Sequence, residues 1–236
     1  MPITITPITD TDIRLVPGAW PLPPALRASV PERWARLLAD NPHLWDGRIL
    51  GVSLPTIGAD GMLRAEARED AYSAFLAWRD AGFPEVGVYN LFGSALIVSG
   101  DGAMLFGRMG EDTANAGHVY PVGGSLEPRD VLPDGQVDVF GSIALELNEE
   151  TGLVAADAEP GKTVAVSDGP RISVARVLRF SQPADTLAAI IRGNLAAQAH
   201  RELADMVILR ASGDAARAGV MPYAAAVAEA FFAGDI

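Results

Sequence analysis

Residues 145–153 read LELNEETGL and set three carboxylates, Glu146, Glu149 and Glu150, within five positions ahead of a glycine. On a helix, residues three and four apart share a face. The three glutamates therefore converge, while Phe140, Ile143, Ala144 and Leu147 make the opposite, apolar stripe. Gly152 stands where a left-handed cap ends a helix, and Leu153 can fold back on the last turn. The pattern predicts a helix over residues 138–151. As a stabilising arrangement it is poor. Like charges at contact spacing repel, and acids near a helix C-terminus oppose its dipole, each at roughly 0.3–1 kcal/mol. No Lys or Arg lies between Asp130 and Lys162 to offset them. A Glu-rich helix is ordinarily a solvated acidic face. The missing cations and the glycine-rich loop upstream favour another use, the binding of a hard divalent cation such as Mg²⁺, which prefers carboxylate oxygens.

The flanks supply the scaffold. GSALIVSGDGAMLFGRM (93–109) reads as two strands joined by Gly-Asp-Gly, a hairpin signal. GHVYPVGGSLEP (117–128) reads as a strand followed by a loop. KTVAVSDGPRISVARVLRF (162–180) gives two more alternating strands around Asp168-Gly169. A helix over 184–199, a strand at MVILR (206–210) and a helix at PYAAAVAEAFFA (222–233) complete the chain. Before residue 86 the texture differs, being rich in Pro, Trp and Arg. Tyr72, Phe75, Leu76 and Arg79 predict a helix over 68–81. A shorter helix is expected in PERWARLLADN (31–41), and a strand in HLWDGRILGVSLP (43–55), entered from a turn at Asp46-Gly47. Strands and helices mix without a regular βαβ repeat, which predicts an α+β domain or helices sandwiching a mixed sheet.

Composition limits the function. At 49% hydrophobic, the 236-residue chain has enough apolar content for a packed core. A net charge of −12 argues against sequence-independent nucleic-acid binding, and it sets an anionic substrate a problem that metal ions usually solve. With no cysteine, thiolate zinc sites, disulfides and cysteine nucleophiles are excluded. MPITITPITDTDIRL has no signal-peptide pattern, and no apolar run reaches the roughly 18 residues of a membrane helix. A soluble, cytoplasmic protein that does not engage membranes is the expectation. The three histidines, His43, His118 and His200, are dispersed and suggest no shared metal. Trp20, Trp34, Trp45 and Trp78 all lie in the N-terminal part and are expected chiefly in its core. No G-x-S-x-G elbow or G-x-G-x-x-G fingerprint is present.

GGSLEPRD (123–130) followed by LELNEETGL resembles the Nudix box of the Nudix hydrolases, written G-x5-E-x7-R-E-U-x-E-E-x-G-U with U aliphatic. Gly124 matches the opening glycine; Glu146, Leu147, Glu149, Glu150, Gly152 and Leu153 match the second half. Three departures stand out. The first glutamate position holds Asp130, fourteen residues (Val131 to Ala144) separate it from the second half where the family has seven, and Leu145 replaces the arginine. The resemblance covers residues 86–236 and implies a Nudix α/β/α sandwich with a mixed sheet, preceded by an N-terminal α/β extension over residues 1–85. It also implies a Mg²⁺ site, with Mn²⁺ as a substitute. Its ligands would be Glu146, Glu150, Glu149 as a third or bridging one, the backbone carbonyl near Gly123, and a later carboxylate, Glu202 first and Asp205 second. Glu149 or Glu202 would be the base, and Arg108, Arg129 and Tyr120, with His118 beside it, would meet the substrate. DNPHLWDGRILGV (40–52) is similar to a segment of Nudix proteins that hydrolyse UDP-sugars, which implies products UMP and sugar 1-phosphate. An ADP-ribose or coenzyme A pyrophosphatase and a non-catalytic nucleotide sensor remain as alternatives. The expected partner is thus a small nucleotide; the oligomeric state is left open.

Overall fold

The computed structural model describes residues 2–236. Its strands are β1 (Thr4–Ile8), β2 (Asp10–Leu15), β3 (Arg48–Val52), β4 (Thr56–Ile57), β5 (Met62–Ala71), β6 (Asn90–Val98), β7 (Met104–Met109), β8 (Val119–Tyr120), β9 (Glu159–Asp168), β10 (Arg171–Arg179) and β11 (Leu203–Leu209). Its helices are α1 (Pro24–Asp40), α2 (Tyr72–Asp80), α3 (Val139–Thr151), α4 (Ala184–Ala197), α5 (Asp214–Arg217) and α6 (Pro222–Ala233). The larger sheet runs β1-β9-β10-β6-β7-β11 with β8 added to β7, and it is mixed, because β10 and β6 are parallel while the other pairs are antiparallel.

Side chains alternate across a strand, and β6 shows the consequence. Leu91, Ala95 and Ile97 face one core, completed by Ile143 and Leu147 of α3 and Leu187, Ile191 and Leu195 of α4. Leu96 and Val98 face the other, completed by Tyr223, Ala224 and Val227 of α6. The expected α/β/α sandwich with a mixed sheet is what forms. Gly93 keeps α3 close, since a Cβ there would lie 2.6 Å from Ile143 Cγ1.

A second sheet, β2-β5-β3 with β4 on β5, belongs to the N-terminal part. Against it α1 and α2 close a smaller aromatic cluster, in which Trp20 and Trp78 meet edge to face at 5.8 Å. β1 does not join this sheet. It pairs with β9 of the larger one, and Thr9 alone separates it from β2.

Several boundaries differ from the sequence reading. The helix expected over 68–81 begins at Tyr72, because Arg68 to Ala71 extend β5 and pair with β3 from Gly51 to Arg48. The helix at 31–41 starts earlier, at Pro24, with the ring of Pro24 at a position where its missing N–H costs nothing and Pro31 inside. β11 begins at Leu203 rather than Met206, and the sequence signalled neither α5 nor β1 and β2. The residues stretching the box form a tight loop with a destination. Leu132 N–H donates to Gln136 O, Leu15 N–H to Gly135 O and Val137 N–H to Ile13 O, so the insertion lies along β2.

Candidate functional site

α3 is built as its sequence implies. Asp138 caps its N-terminus by accepting the Gly141 N–H at 2.8 Å, and Gly152 ends it at φ +73° with Leu153 buried behind it. The helix lays Glu146, Glu149 and Glu150 beside the loop Gly123–Asp130. Gly124 explains its own identity, since a Cβ there would lie 2.7–2.8 Å from the Glu146 carboxylate. Gly123 has φ +152°, and a Cβ would collide with the Gly93 carbonyl oxygen. Its N–H donates to Glu150 Oε2 at 2.9 Å.

Asp130, at the first glutamate position of the resembled box, points inward. It is buried, and its Oδ2 accepts from Glu127 N–H at 2.8 Å and Ser142 Oγ at 3.1 Å. It therefore ties the loop to α3 and is not open to a ligand.

The cation that the helix lacks comes from the loop. Arg129 Nη2 donates to Glu146 Oε1 at 2.8 Å, Nη1 donates to Glu149 Oε1 at 3.0 Å, and Nε lies 3.2 Å from Glu127 Oε2. Arg129 immediately precedes the stretch 130–161, which has no Lys or Arg. Leu145, in the box arginine's position, is 37% exposed and carries no such role.

One guanidinium does not balance the group. Glu146 is pushed up to about 7, first by burial and then by Glu149, Glu202 and Glu127, against the pull of Arg129. Glu150, 4% exposed, is raised well above the usual range by burial and by Glu202 and Glu146, with the Gly123 N–H opposing. Glu202 is raised by partial desolvation and by Glu149, against Arg129. Glu202 is exposed, its charge bears on Glu146 and Glu150, and its backbone carbonyl accepts the Gly110 N–H at 2.6 Å. Asp205 does not join them, because its carboxylate holds Arg192 Nε at 2.6 Å.

Tyr120 borders the group. Its phenol is raised by burial and by Glu150, Tyr72 and Glu202, and its oxygen accepts from Asn115 Nδ2 at 3.2 Å. Tyr72 comes from α2, and its phenol too is raised by burial and by Glu202. No motif flagged it, because its helical spacing matched a core stripe. Arg108 Nη1 donates to Gly117 O at 3.3 Å, and His118 is exposed. Trp20 and Trp78 are core residues, whereas Trp45 is 74% exposed. Its loop is fixed where Asn41 Nδ2 donates to Asp112 O at 3.0 Å.

Among the described residues, no three of His, Cys, Asp and Glu are gathered closely enough to hold a metal ion as they stand. The donor set nevertheless suits one chemically. Arg129 is shared by three carboxylates, those of Glu127, Glu146 and Glu149, Glu150 is buried with no cationic side chain among the described residues within ion-pair distance, and all offer hard oxygens. Surface hollows of about 330 and 400 Å³ lie elsewhere, around Phe140 and Arg176 and around Ser99 and Arg179.

No protein-family model matches the chain, and no curated protein matches it. Among solved structures, it is similar to a MutT protein from Methanosarcina mazei Go1, at 21% identity over 62% of this chain and 95% of that one, with a TM-score of 0.41. It is also similar to the NUDIX domain of Shewanella oneidensis NrtR complexed with ADP ribose, at 14% identity over 67% and 94%, with a TM-score of 0.43. A NUDIX hydrolase from Nitrosomonas europaea gives 17% identity over 62% and 90%, with a TM-score of 0.40. Likenesses at this level carry no argument about activity, which rests on the residues themselves. No helix among the described residues is long and apolar enough to cross a membrane.

Proposed function

We propose that the chain is a Mg²⁺-dependent hydrolase of the Nudix type that cleaves the diphosphate of a nucleoside diphosphate linked to another moiety. A UDP-sugar, giving UMP and sugar 1-phosphate, is the first choice. The observation that supports this reading is the placing of Glu146 and Glu150 against the Gly123-Gly124 loop, with Glu149 beside them on the same helix and one arginine, Arg129, bonded to Glu146 and Glu149. Carboxylates left unbalanced and partly buried cost stability, and a polyanionic substrate cannot approach them unaided. Glu146, Glu149, Glu150 and Glu202, with the carbonyl near Gly123, would hold the cation, which supplies charge neutralisation of the diphosphate and a more acidic water.

The chain's own groups do the rest. Glu202, exposed and with its carboxyl raised above the usual range by desolvation, is suited to accept a proton from water, and Glu149 is the alternative base. Tyr120 keeps its phenolic proton at all working pH values and can donate a hydrogen bond to substrate. Arg108, and Arg129 once released from its glutamates, offer guanidinium groups to phosphate. The UDP-sugar choice draws on the segment 40–52, since Asn41 grips the loop that leads into Tyr120.

Arg129 favours a second reading, a nucleotide-binding protein without turnover, because it already occupies two of the glutamates. Phosphate release in the presence of an auxiliary phosphatase separates the two. The panel is UDP-glucose and other nucleotide sugars, ADP-ribose and coenzyme A, with and without Mg²⁺. Metal-dependent turnover that Glu150→Gln abolishes supports the hydrolase. Silence on every substrate with Mg²⁺ or Mn²⁺ leaves the binding protein.

A further inference from the structure

All three nitrogens of the Arg129 guanidinium face acids: Nη2 meets Glu146, Nη1 meets Glu149 and Nε meets Glu127. Two of these partners belong to the proposed cation-holding set. Glu150, 4% exposed and aimed at the same loop through its bond from Gly123, has no cationic side chain within ion-pair distance among the described residues. The group therefore holds one positive charge where it has room for more, and that charge sits on oxygens a metal would need.

We propose that Arg129 is a resident counter-ion that a divalent cation must displace, so that this residue sets the cation affinity of the site. The inference rests on the proposed function above. Geometry favours exchange over coexistence. An arginine fork and a hard cation want the same carboxylate lone pairs, and Arg129 lies on a short exposed turn, Pro128–Asp130, whose other anchors are Asp130 and Ser142. The side chain is 40% exposed, so it can leave Glu146 and Glu149 without unfolding what Asp130 holds. Displacement also hands the guanidinium to an incoming anion. A loaded site would then carry both its cation and a freed arginine, whereas an empty site would hold its arginine back.

The test is Mn²⁺ binding to the full chain, followed by the loss of the free-ion electron paramagnetic resonance signal, with turnover assayed in parallel. If Arg129 competes, Arg129→Gln binds Mn²⁺ about tenfold more tightly than the unaltered protein, a change equivalent to ~1.4 kcal/mol. Arg129→Lys, which keeps the charge but cannot span two carboxylates, falls between them and covers the case in which the glutamine variant does not fold. Equal or weaker Mn²⁺ affinity in either variant overturns the proposal, since an arginine that merely positions the glutamates would help the metal. Absent turnover with competition intact removes only the hydrolase reading; turnover with no competition removes only this one.

Discussion

The molecule solves the burial of acids in two ways, at Asp70 of β5, held by Arg27 of α1, and at the α3 glutamates. In the N-terminal part, Asp70 has a side chain only 5% exposed, yet it is fully served. Arg27 Nη1 and Nη2 donate to it at 2.8 and 2.6 Å, and Trp20 N–H and Ala71 N–H add further bonds at 2.9 and 2.8 Å. Burial pushes that carboxyl up, but Arg27 and the two amides outweigh it and hold it below the usual range. Around Glu146 the same kinds of group are present in the wrong ratio, with one arginine against five glutamates, Glu127 among them, and the balance tips the other way. One acid has been made part of the fold, and the others are kept short of charge at a cost to it. Proteins spend stability in this way where chemistry needs it.

Removing an acid from each region should break the symmetry of that comparison most clearly. Glu150→Gln is expected to lower metal-dependent turnover at least about a hundredfold, since even residues behind the metal ligands commonly cost ten- to a hundredfold. The same change should raise the melting temperature in EDTA, because it removes a buried charge. A variant that loses activity and stability together would count against the reading of Glu150. Asp70→Asn goes the opposite way, with an expected loss of about 2 kcal/mol, the scale for a hydrogen bond to a charged group. Urea denaturation measures it, and turnover per folded molecule should stay unchanged.

The acids also predict opposite pH slopes. Asp70, with a lowered folded value, contributes stability above its unfolded value and loses it as the solution is acidified. Glu146 does the reverse. With a folded value near 7 against an ordinary 4.5, it binds more protons folded than unfolded between those values, so stability falls as pH rises through that window. Melting curves in EDTA should therefore decline from pH 5 to pH 7.5, and saturating Mg²⁺ should flatten the decline. A profile identical with and without Mg²⁺ would show that no cation serves this group. The smallest effect is expected at Leu145→Arg. A guanidinium there lies at i+4 spacing from Glu149 and adds about 0.3–0.5 kcal/mol of exposed ion pairing, read as a small rise in melting temperature that NaCl reverses.

The helix of the site was legible because its signals are local: glutamate spacing, an opposite apolar stripe and a Gly at the C-terminal end. The hairpin through Gly100-Asp101-Gly102 was legible for the same reason. What escaped were facts of long range. Arg129 reaches Glu149 across 20 positions of sequence, and no helical or strand period connects them. Tyr72 looked like a core residue because its neighbours are. Arg68 to Ala71 carry helix-compatible side chains, but β3 claims their backbone. The extra length in VLPDGQVDVF (131–140) is a loop insertion in the sequence, and only the edge of β2 shows where it packs.

Thr4 lies opposite Ser167, while Asp10, six residues on, lies opposite Met62. A ribbon of a dozen residues is thus stitched into two fabrics whose threads arrive at different times. The second stitch can be made while the chain is still short. The first must wait until β9 exists, and closing so wide a loop is the slow kind of step. Without β1 the flank of β9 is an open seam with its amides unpaired, the sort of edge at which neighbouring chains join by mistake. Thr4–Ile8 thus acts as the hem of the larger sheet, closing the β9 edge against its neighbours.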